Sequence, residues 1–304
     1  MKIRDLFRVQ RQTFSFEFFP PKTEEDAEDL FLRARELKPL GPSFISVTYG
    51  AGGSTRRNTI DLVCRLQAEL GMLGMAHLTC VGHSQAELRE VLTELKDRGV
   101  ENVMCLRGDP PRGQTAFVPA PDGFSYAAEL VRLARSLGDF CIGVAGYPEA
   151  HPECPDKQLD LEHLRAKVEC GADFVTTQLF FDSRDYFDFC ARARRAGVWH
   201  RIIPGIMPIT NYRQIVRFTQ MCGATIPAVL HERLAPVADD PQAVLEIGVD
   251  WAWRQCEELL VNGAPGIHFY TMNRSLATQR IFERLRESGV KELLPPLTAA
   301  PVAS

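Results

Sequence analysis

The chain has 304 residues, of which 45% are hydrophobic and 24% are charged, an ordinary globular composition with enough length for a large core. Its formal net charge of -4 and pI of about 6.0, with Lys and Arg scattered along the chain, argue against nucleic acid or an anionic membrane as a partner. Nine cysteines without a CxxC pair, no apolar N-terminal signal segment and no apolar run near the roughly 20 residues that span a bilayer predict a cytoplasmic protein with reduced thiols.

Short apolar, β-branched or aromatic runs alternate with helix-period segments along the chain. Strands are predicted at 14–19, 43–48, 75–81, 101–106, 140–146, 174–180, 201–206 and 266–271. Helices are predicted at 23–38, 55–70, 84–98, 125–137, 157–170, 183–196, 211–222, 241–262 and 274–288. Eight strands, each followed by a helix, indicate an α/β fold of the (β/α)₈ TIM-barrel class.

The barrel is predicted as a single domain over residues 1–293, because the chain has no linker, repeat or shift in composition. The strand count depends on whether 201–206 is a strand. The Pro/Ala-rich tail at 294–304 is predicted to be disordered.

Polar side chains fall at the ends of seven of the eight predicted strands, where TIM barrels place their catalytic groups. They are Glu17, Thr48, His77, Arg107 with Asp109, Tyr147 with Glu149 and His151, Gln178, and Tyr270 with Asn273 and Arg274. This convergence predicts a ligand site at the barrel mouth.

Glu17 stands in the aromatic stretch FSFEFF (14–19). Because strand side chains alternate, Phe14, Phe16 and Phe18 share the face toward the helices, while Glu17 points into the barrel mouth. Partial burial there is expected to raise its pKa, so that it holds a proton near neutral pH and serves as an acid. The alternative is a structural ion pair or an exposed edge strand.

Three further motifs each have a second interpretation. Asp109, in LRGDPP, is either a functional residue beyond a strand or a turn residue before two prolines; an RGD adhesion motif does not suit a chain without a secretion signal. The glycine-rich TYGAGGST (48–55) is either an anion cradle or a tight turn, and lacks both the P-loop and the GxGxxG pattern. His77 and His151 lack metal-ligand spacing, so no metal is predicted.

Eight sequence blocks together resemble bacterial methylenetetrahydrofolate reductase. They are FSFEFFPPKT, SVTYGAGGST, AHLTC, CLRGDPP, AGYPEAHPE, TTQLFFD, IIPGIMPI and HFYTMNR. They occur in the family's order and at its spacing, from about residue 3 to about residue 288. The resemblance implies a (β/α)₈ barrel that binds FAD without a Rossmann motif.

The resemblance also implies a reaction. NAD(P)H would reduce the flavin and leave, and 5,10-methylenetetrahydrofolate would then take the hydride to give 5-methyltetrahydrofolate, which supplies methyl groups for methionine synthesis. Glu17 matches the family's general acid, which protonates folate N10 and so opens the five-membered ring. Asp109 matches the aspartate that tunes the flavin and contacts the pterin.

Two sets of binding residues carry over from the family. The FAD contacts would be Thr48, His77, Leu106, Arg107, Gly108, Asp109, Tyr126, Ala127, Tyr147, His151, Asp160 and Lys167, with Arg107 and Lys167 near the diphosphate. The substrate contacts would be Glu17, Asp109, Gln178, Gln214, Phe218, Tyr270, Met272 and Arg274, with Phe218 stacking on the nicotinamide or the folate.

The resemblance further implies a homo-oligomer, dimeric or tetrameric, without inhibition by S-adenosylmethionine. It leaves open the choice of NADH or NADPH, the polyglutamate length and the need for an electron-delivering subunit. Two other hypotheses remain: a flavin-free barrel lyase or aldolase, and a folate- or flavin-binding protein without turnover. A Schiff-base aldolase is disfavoured because no predicted strand ends in Lys.

Overall fold

The computed structural model describes residues 1–21, 23–49, 53–110, 113 and 116–296, with only the backbone described at 53–58. These residues form a parallel sheet whose strand segments are β1 (Thr13–Phe18), β2 (Phe44–Val47), β3 (Gly74–Thr79), β4 (Asn102–Leu106), β5 (Cys141–Gly146), β6 (Phe174–Thr177), β7 (Arg201–Ile203), β8 (Gly205–Ile206) and β9 (Gly266–Tyr270). The predicted α/β TIM-barrel class is confirmed.

The predicted strand at 201–206 exists, but Pro204 divides it into β7 and β8. β7 pairs with β6, and β8 pairs with β9. Because β9 also pairs with β1, this divided strand brings the two ends of the sheet together. Proline lacks the N–H that a continuous ladder needs, which explains the interruption.

Helices surround the sheet in the order expected of repeated strand–helix units. They are α1 (Ile3–Val9), α2 (Glu24–Leu37), α3 (Gly53–Leu70), α4 (Gln85–Asp97), α5 (Ala127–Leu137), α6 (Lys157–Glu169), α7 (Ser183–Arg195), α8 (Tyr212–Cys222), α9 (Ala228–Leu234), α10 (Pro241–Val261) and α11 (Leu276–Glu287). Several begin at the expected caps; Thr23 and Ser84 each form a capping box. The short helices α1 and α9 were not predicted.

The alternation predicted for β1 is confirmed. Phe14, Phe16 and Phe18 are fully buried between the sheet and the helices. The Phe14 and Phe16 rings lie 5.5 and 5.9 Å from the ring of Phe282 on α11. Glu17 on the same strand therefore faces the barrel interior.

The amino-terminal end of the barrel is closed by α1. Ile3 packs in a cluster with inward side chains of the sheet, among them Phe44 and Phe174. The backbone nitrogen of Ile3 donates to the Asn102 side chain at the start of β4, and Arg201 at the start of β7 donates to the carbonyl of Phe7. The opposite, carboxyl-terminal end is left for a ligand site.

The described chain ends against the barrel. Leu294 is buried, and the carbonyl of Pro295 accepts a hydrogen bond from Arg286. The rest of the predicted disordered tail, 297–304, lies outside the described residues, as do residues 50–52 of the glycine-rich motif. Among the helices that the structure describes, none combines the length and the apolar character needed to cross a membrane.

Candidate active site

Glu17 is the centre of a buried polar chain inside the barrel mouth. Its carboxylate oxygen Oε2 lies 3.2 Å from Nε2 of His268 on β9, and His268 Nδ1 lies 2.7 Å from the hydroxyl of Ser15. Ser15 and Glu17 share the inward face of β1, and the sheet register sets Ser15 beside His268. If the Ser15 hydroxyl donates to Nδ1, neutral His268 carries its proton on Nε2 and donates to Glu17.

His77 approaches the same carboxylate from β3. Its Nε2 lies 3.4 Å from Glu17 Oε2, but the atom is buried and forms no hydrogen bond with a described residue. Burial lowers the pKa of His77 below its usual 6.5, although the charge of Glu17 opposes this change. His77 therefore places a buried nitrogen, without a hydrogen bond to a described residue, beside the carboxylate of Glu17.

The expectation that Glu17 has a raised pKa is wrong for this structure. Burial does raise the pKa of Glu17, but His77 and His268 favour the carboxylate more strongly, and the pKa lies below its ordinary 4.5. The expectation rested on the partial burial of Glu17 in the barrel mouth. The sequence predicts His77 at the same mouth, but the contacts of the two imidazoles with Glu17 depend on how the strands are arranged around it.

The side chains from the last strands converge on one apolar cluster. Phe218, Tyr270 and Met272 all pack against a group of buried residues that includes Ile209 and Leu179. The Tyr270 hydroxyl also donates to the carbonyl of Thr177 at 2.6 Å, and burial raises its pKa well above 10.

Four of the expected substrate residues lie on or next to segments that contribute to this cluster. They are Gln178, Gln214, Met272 and Arg274. Gln178 follows β6 directly, and its side-chain oxygen accepts from the nitrogen of Leu179. Gln214 occupies the first turn of α8, four residues before Phe218. Met272 adopts a left-handed backbone with φ of 53°, in the turn that leads to the exposed Arg274.

The loops after β4 and β5 form a charged side of the mouth. Arg107 makes a bidentate pair with Glu153, at 2.9 and 2.5 Å, and lies over the Phe117 ring. Leu106, Gly108 and Asp109 stand beside Arg107 in the chain, and Asp109 is exposed. Arg107, expected near a diphosphate, is thus engaged by a carboxylate here.

The loop after β5 carries two rings in contact. Those of Tyr147 and His151 meet edge to face at 4.7 Å. Burial and the charge of Arg107 lower the pKa of His151 below 6.5. The backbone nitrogen of Glu153 donates to His151 Nδ1, which leaves Nε2 to carry the proton of the neutral ring.

The remaining expected FAD residues lie on α5 and α6, apart from Thr48, which follows β2. Tyr126 is the capping residue before α5, which begins at Ala127, and the Tyr126 ring stacks on His163 of α6 at 5.6 Å. The Lys167 amine donates to the carbonyl of Ala145 at 2.6 Å, and burial lowers its pKa to about 8. Burial raises the pKa of Asp160, and the charge of Lys167 opposes this.

The expected residues therefore form two groups: one around Glu17 and the last strands, and one along the β4–α6 side. Sequence reasoning missed Ser15 and His268, which complete the chain to Glu17. Strand parity contains the signal, since Ser15 lies two residues before Glu17 and His268 two before Tyr270. Within the described residues, no group of three or more His, Cys, Asp or Glu side chains could hold a metal ion.

Comparison with known proteins gives consistent results. A sequence model of the family described as Methylenetetrahydrofolate reductase matches residues 2–286. The chain is 41% identical over 308 residues to methylenetetrahydrofolate reductase (NADH) 1 of Arabidopsis thaliana, covering 97% of this chain and 52% of that protein. It is 37% identical over 273 residues to 5,10-methylenetetrahydrofolate reductase of Escherichia coli, covering 90% of each.

The chain spans about half the length of the plant relatives that it matches. Among solved structures, an uncharacterized protein from Clostridium thermocellum that binds two copies of 5-methyl-5,6,7,8-tetrahydrofolic acid matches with a TM-score of 0.62 and 12% identity. That match covers 94% of this chain and 98% of the other. At this identity it supports the fold alone.

Proposed function

The chain belongs to the methylenetetrahydrofolate reductase family, and from that membership we propose that it reduces 5,10-methylenetetrahydrofolate to 5-methyltetrahydrofolate with NAD(P)H and FAD. The two half-reactions follow a ping-pong order. Glu17 is the general acid, and the observation that carries this role is its inward position in contact with His268 and beside His77.

The protein's part in the folate step is to deliver a proton at N10. The carboxyl of Glu17 is ionised in the ligand-free mouth, because its pKa is lowered. A folate bound in the mouth would remove the last solvent contact of the carboxyl, which is only 6% exposed. This desolvation would raise the pKa of Glu17, so that the carboxylate takes up a proton from solvent and then donates it to N10. The chain from Ser15 through His268 holds the carboxyl in one orientation throughout.

The residues of the mouth fit FAD. The unpaired, buried Nε2 of His77 is a polar atom that awaits a ligand partner, and the exposed ring of Tyr126 offers an apolar face. Together with Thr48, Arg107 and Lys167, these residues would hold the cofactor. When bound, FAD supplies the hydride acceptor and donor that the side chains cannot provide.

Arg107 would contact the cofactor, and Glu17 would contact the substrate. Arg107 binds an anion through a bidentate fork, as its pair with Glu153 illustrates. Gln178 and Phe218 would hold the pterin beside Glu17 and exclude water from it. The neighbour from Clostridium thermocellum, which binds 5-methyltetrahydrofolate, is consistent with a folate in a barrel of this shape.

Rapid-mixing kinetics of Glu17→Gln test the proposal. We expect NADH to bleach the flavin within about twofold of the wild-type rate, because hydride transfer from NADH needs no acid. Reoxidation by methylenetetrahydrofolate should slow by at least about 100-fold, the usual cost of losing a general acid. Absorbance of the bound flavin follows both steps.

Glu169→Gln, which changes an exposed carboxylate at the end of α6, is the control and should match the wild type in both steps. If both half-reactions slow equally in Glu17→Gln, Glu17 is structural. A colourless purified protein would favour the flavin-free lyase or aldolase, and a yellow protein without turnover would favour a binding protein.

A further inference from the structure

Glu149 has no role in the proposed reaction, yet it connects two loops of the barrel mouth. It lies in the loop between β5 and α6, two residues after Tyr147. Both of its carboxylate oxygens lie 3.0 Å from the backbone nitrogen of Thr225, which donates to them. Thr225 belongs to the segment between α8 and α9, 76 residues further along the chain.

The packing around this contact is tight. Gly223 ends α8 with φ of 75°, and a Cβ there would lie 3.1 Å from the ring of Pro152 in the β5–α6 loop. Ala150 in the same loop is buried with φ of 81°. A non-glycine residue keeps such a backbone only where its surroundings hold it, which indicates that this loop is held in place by its packing.

The charge of Glu149 also affects the last residue of α8. The half-buried thiol of Cys222, the last residue of α8, has its pKa raised by burial and by the nearby charges of Glu149 and Asp109. A hydrogen bond that an ionised carboxylate accepts from a backbone N–H is stronger than a neutral one. Glu149 therefore provides the polar contact that joins the β5–α6 loop to the segment after α8.

We propose that Glu149 is a positioning residue that fixes α8 relative to the β5–α6 loop. α8 carries Gln214 and Phe218, the expected substrate contacts, and the loop carries Tyr147 and His151, the expected flavin contacts. This role rests on the proposed function. Contacts from α8 would hold folate equally in the ground state and the transition state. Loss of the contact between Glu149 and Thr225 therefore weakens substrate binding and leaves the chemical step unchanged.

The test compares Glu149→Ala with Glu149→Gln. For Glu149→Ala we expect the KM for methylenetetrahydrofolate and the Kd for 5-methyltetrahydrofolate to rise about fivefold to tenfold, which is part of the free energy of one charged hydrogen bond, with kcat within about twofold of the wild type. Glu149→Gln keeps an acceptor oxygen and should recover most of the affinity. Glu169→Ala, at an exposed carboxylate, is the matched control.

Hydrogen exchange at the Thr225 amide, measured on FAD-free protein, gives a readout independent of activity. It should be faster in Glu149→Ala than in the wild type and in Glu169→Ala. Unchanged exchange would overturn the contact, and unchanged folate affinity with faster exchange would overturn the positioning role. If the wild type shows no turnover, the proposed function fails, while the 5-methyltetrahydrofolate Kd still decides the role of Glu149.

Discussion

The charge state of Glu17 is set by two imidazoles, one from the adjacent strand β9 and one from β3, two strands away. Burial alone would raise the pKa of this carboxyl, but His268 donates to it and His77 lies 3.4 Å away. An ionised carboxylate in a closed barrel is stable only with such partners. The histidines therefore determine how readily Glu17 gains the proton that the proposed reaction uses.

His268→Gln tests this control of charge. Removing the imidazole should raise the pKa of Glu17, so the alkaline limb of the pH profile of flavin reoxidation by methylenetetrahydrofolate should move to higher pH. Ser15→Ala keeps the contact between His268 and Glu17 and should move the limb less. An alkaline limb that stays in place in His268→Gln would show that another group governs it.

The same variant has a consequence for stability. The pKa of Glu17 in the folded state is lowered, so its ionised form stabilises the fold above the pKa of the unfolded chain. That contribution disappears as pH falls through the folded pKa. In His268→Gln the contribution should shrink, so unfolding by urea at pH 7 and at pH 4 should differ less than in the wild type.

At the scale of elements, the periodic segments were predicted well and the short ones were missed. Helix α4, for example, begins at the Ser84 cap and carries an apolar stripe that the sequence displays. α1 has seven residues and no side-chain cap at Lys2, and so short a helix is not stable alone. It forms because the barrel end covers Ile3 and Phe7, a tertiary cause that local patterns do not contain.

Ile3→Ala measures the contribution of α1. Ile3 is fully buried in the closed end of the barrel, so we expect the free energy of unfolding to fall by about 2–4 kcal/mol, as for other large-to-alanine changes in cores. Val9→Ala, at the 79% exposed end of the same helix, should change it by less than about 0.5 kcal/mol. Chemical denaturation measures the free energy of unfolding of both variants. Equal losses would argue against close packing of α1 on the amino-terminal end of the barrel.

The site shows the same limit of sequence reasoning. The inward direction of Glu17 followed from alternation along one strand, which is local. The contacts of Glu17 with His268 and His77 depend on the register between strands, and the engagement of Arg107 by Glu153 depends on two loops meeting. Such contacts between distant segments require the three-dimensional arrangement.

At the scale of the whole molecule, closure of the barrel and the candidate site depend on some of the same residues. The divided strand passes between β6 and β9, where the nitrogen of Gly205 donates to the Thr177 hydroxyl at 2.9 Å. The carbonyl of Thr177 accepts from the Tyr270 hydroxyl. Tyr270, an expected substrate contact, is therefore part of the seam between the first and last parts of the sheet.

Gly205→Ala should disturb the seam and the site together. A Cβ at Gly205 would lie 2.4 Å from the Thr177 carbonyl oxygen and 2.6 Å from the Tyr270 ring, so the ring must shift. We expect a loss of about 1–3 kcal/mol in unfolding free energy and a higher KM for methylenetetrahydrofolate. Tyr270→Phe removes only the hydroxyl and should lower the free energy of unfolding by about 1 kcal/mol. Gly289 has open space around it, so Gly289→Ala should change neither the free energy of unfolding nor the KM. A destabilised Gly205→Ala protein with normal KM would separate closure of the barrel from substrate binding.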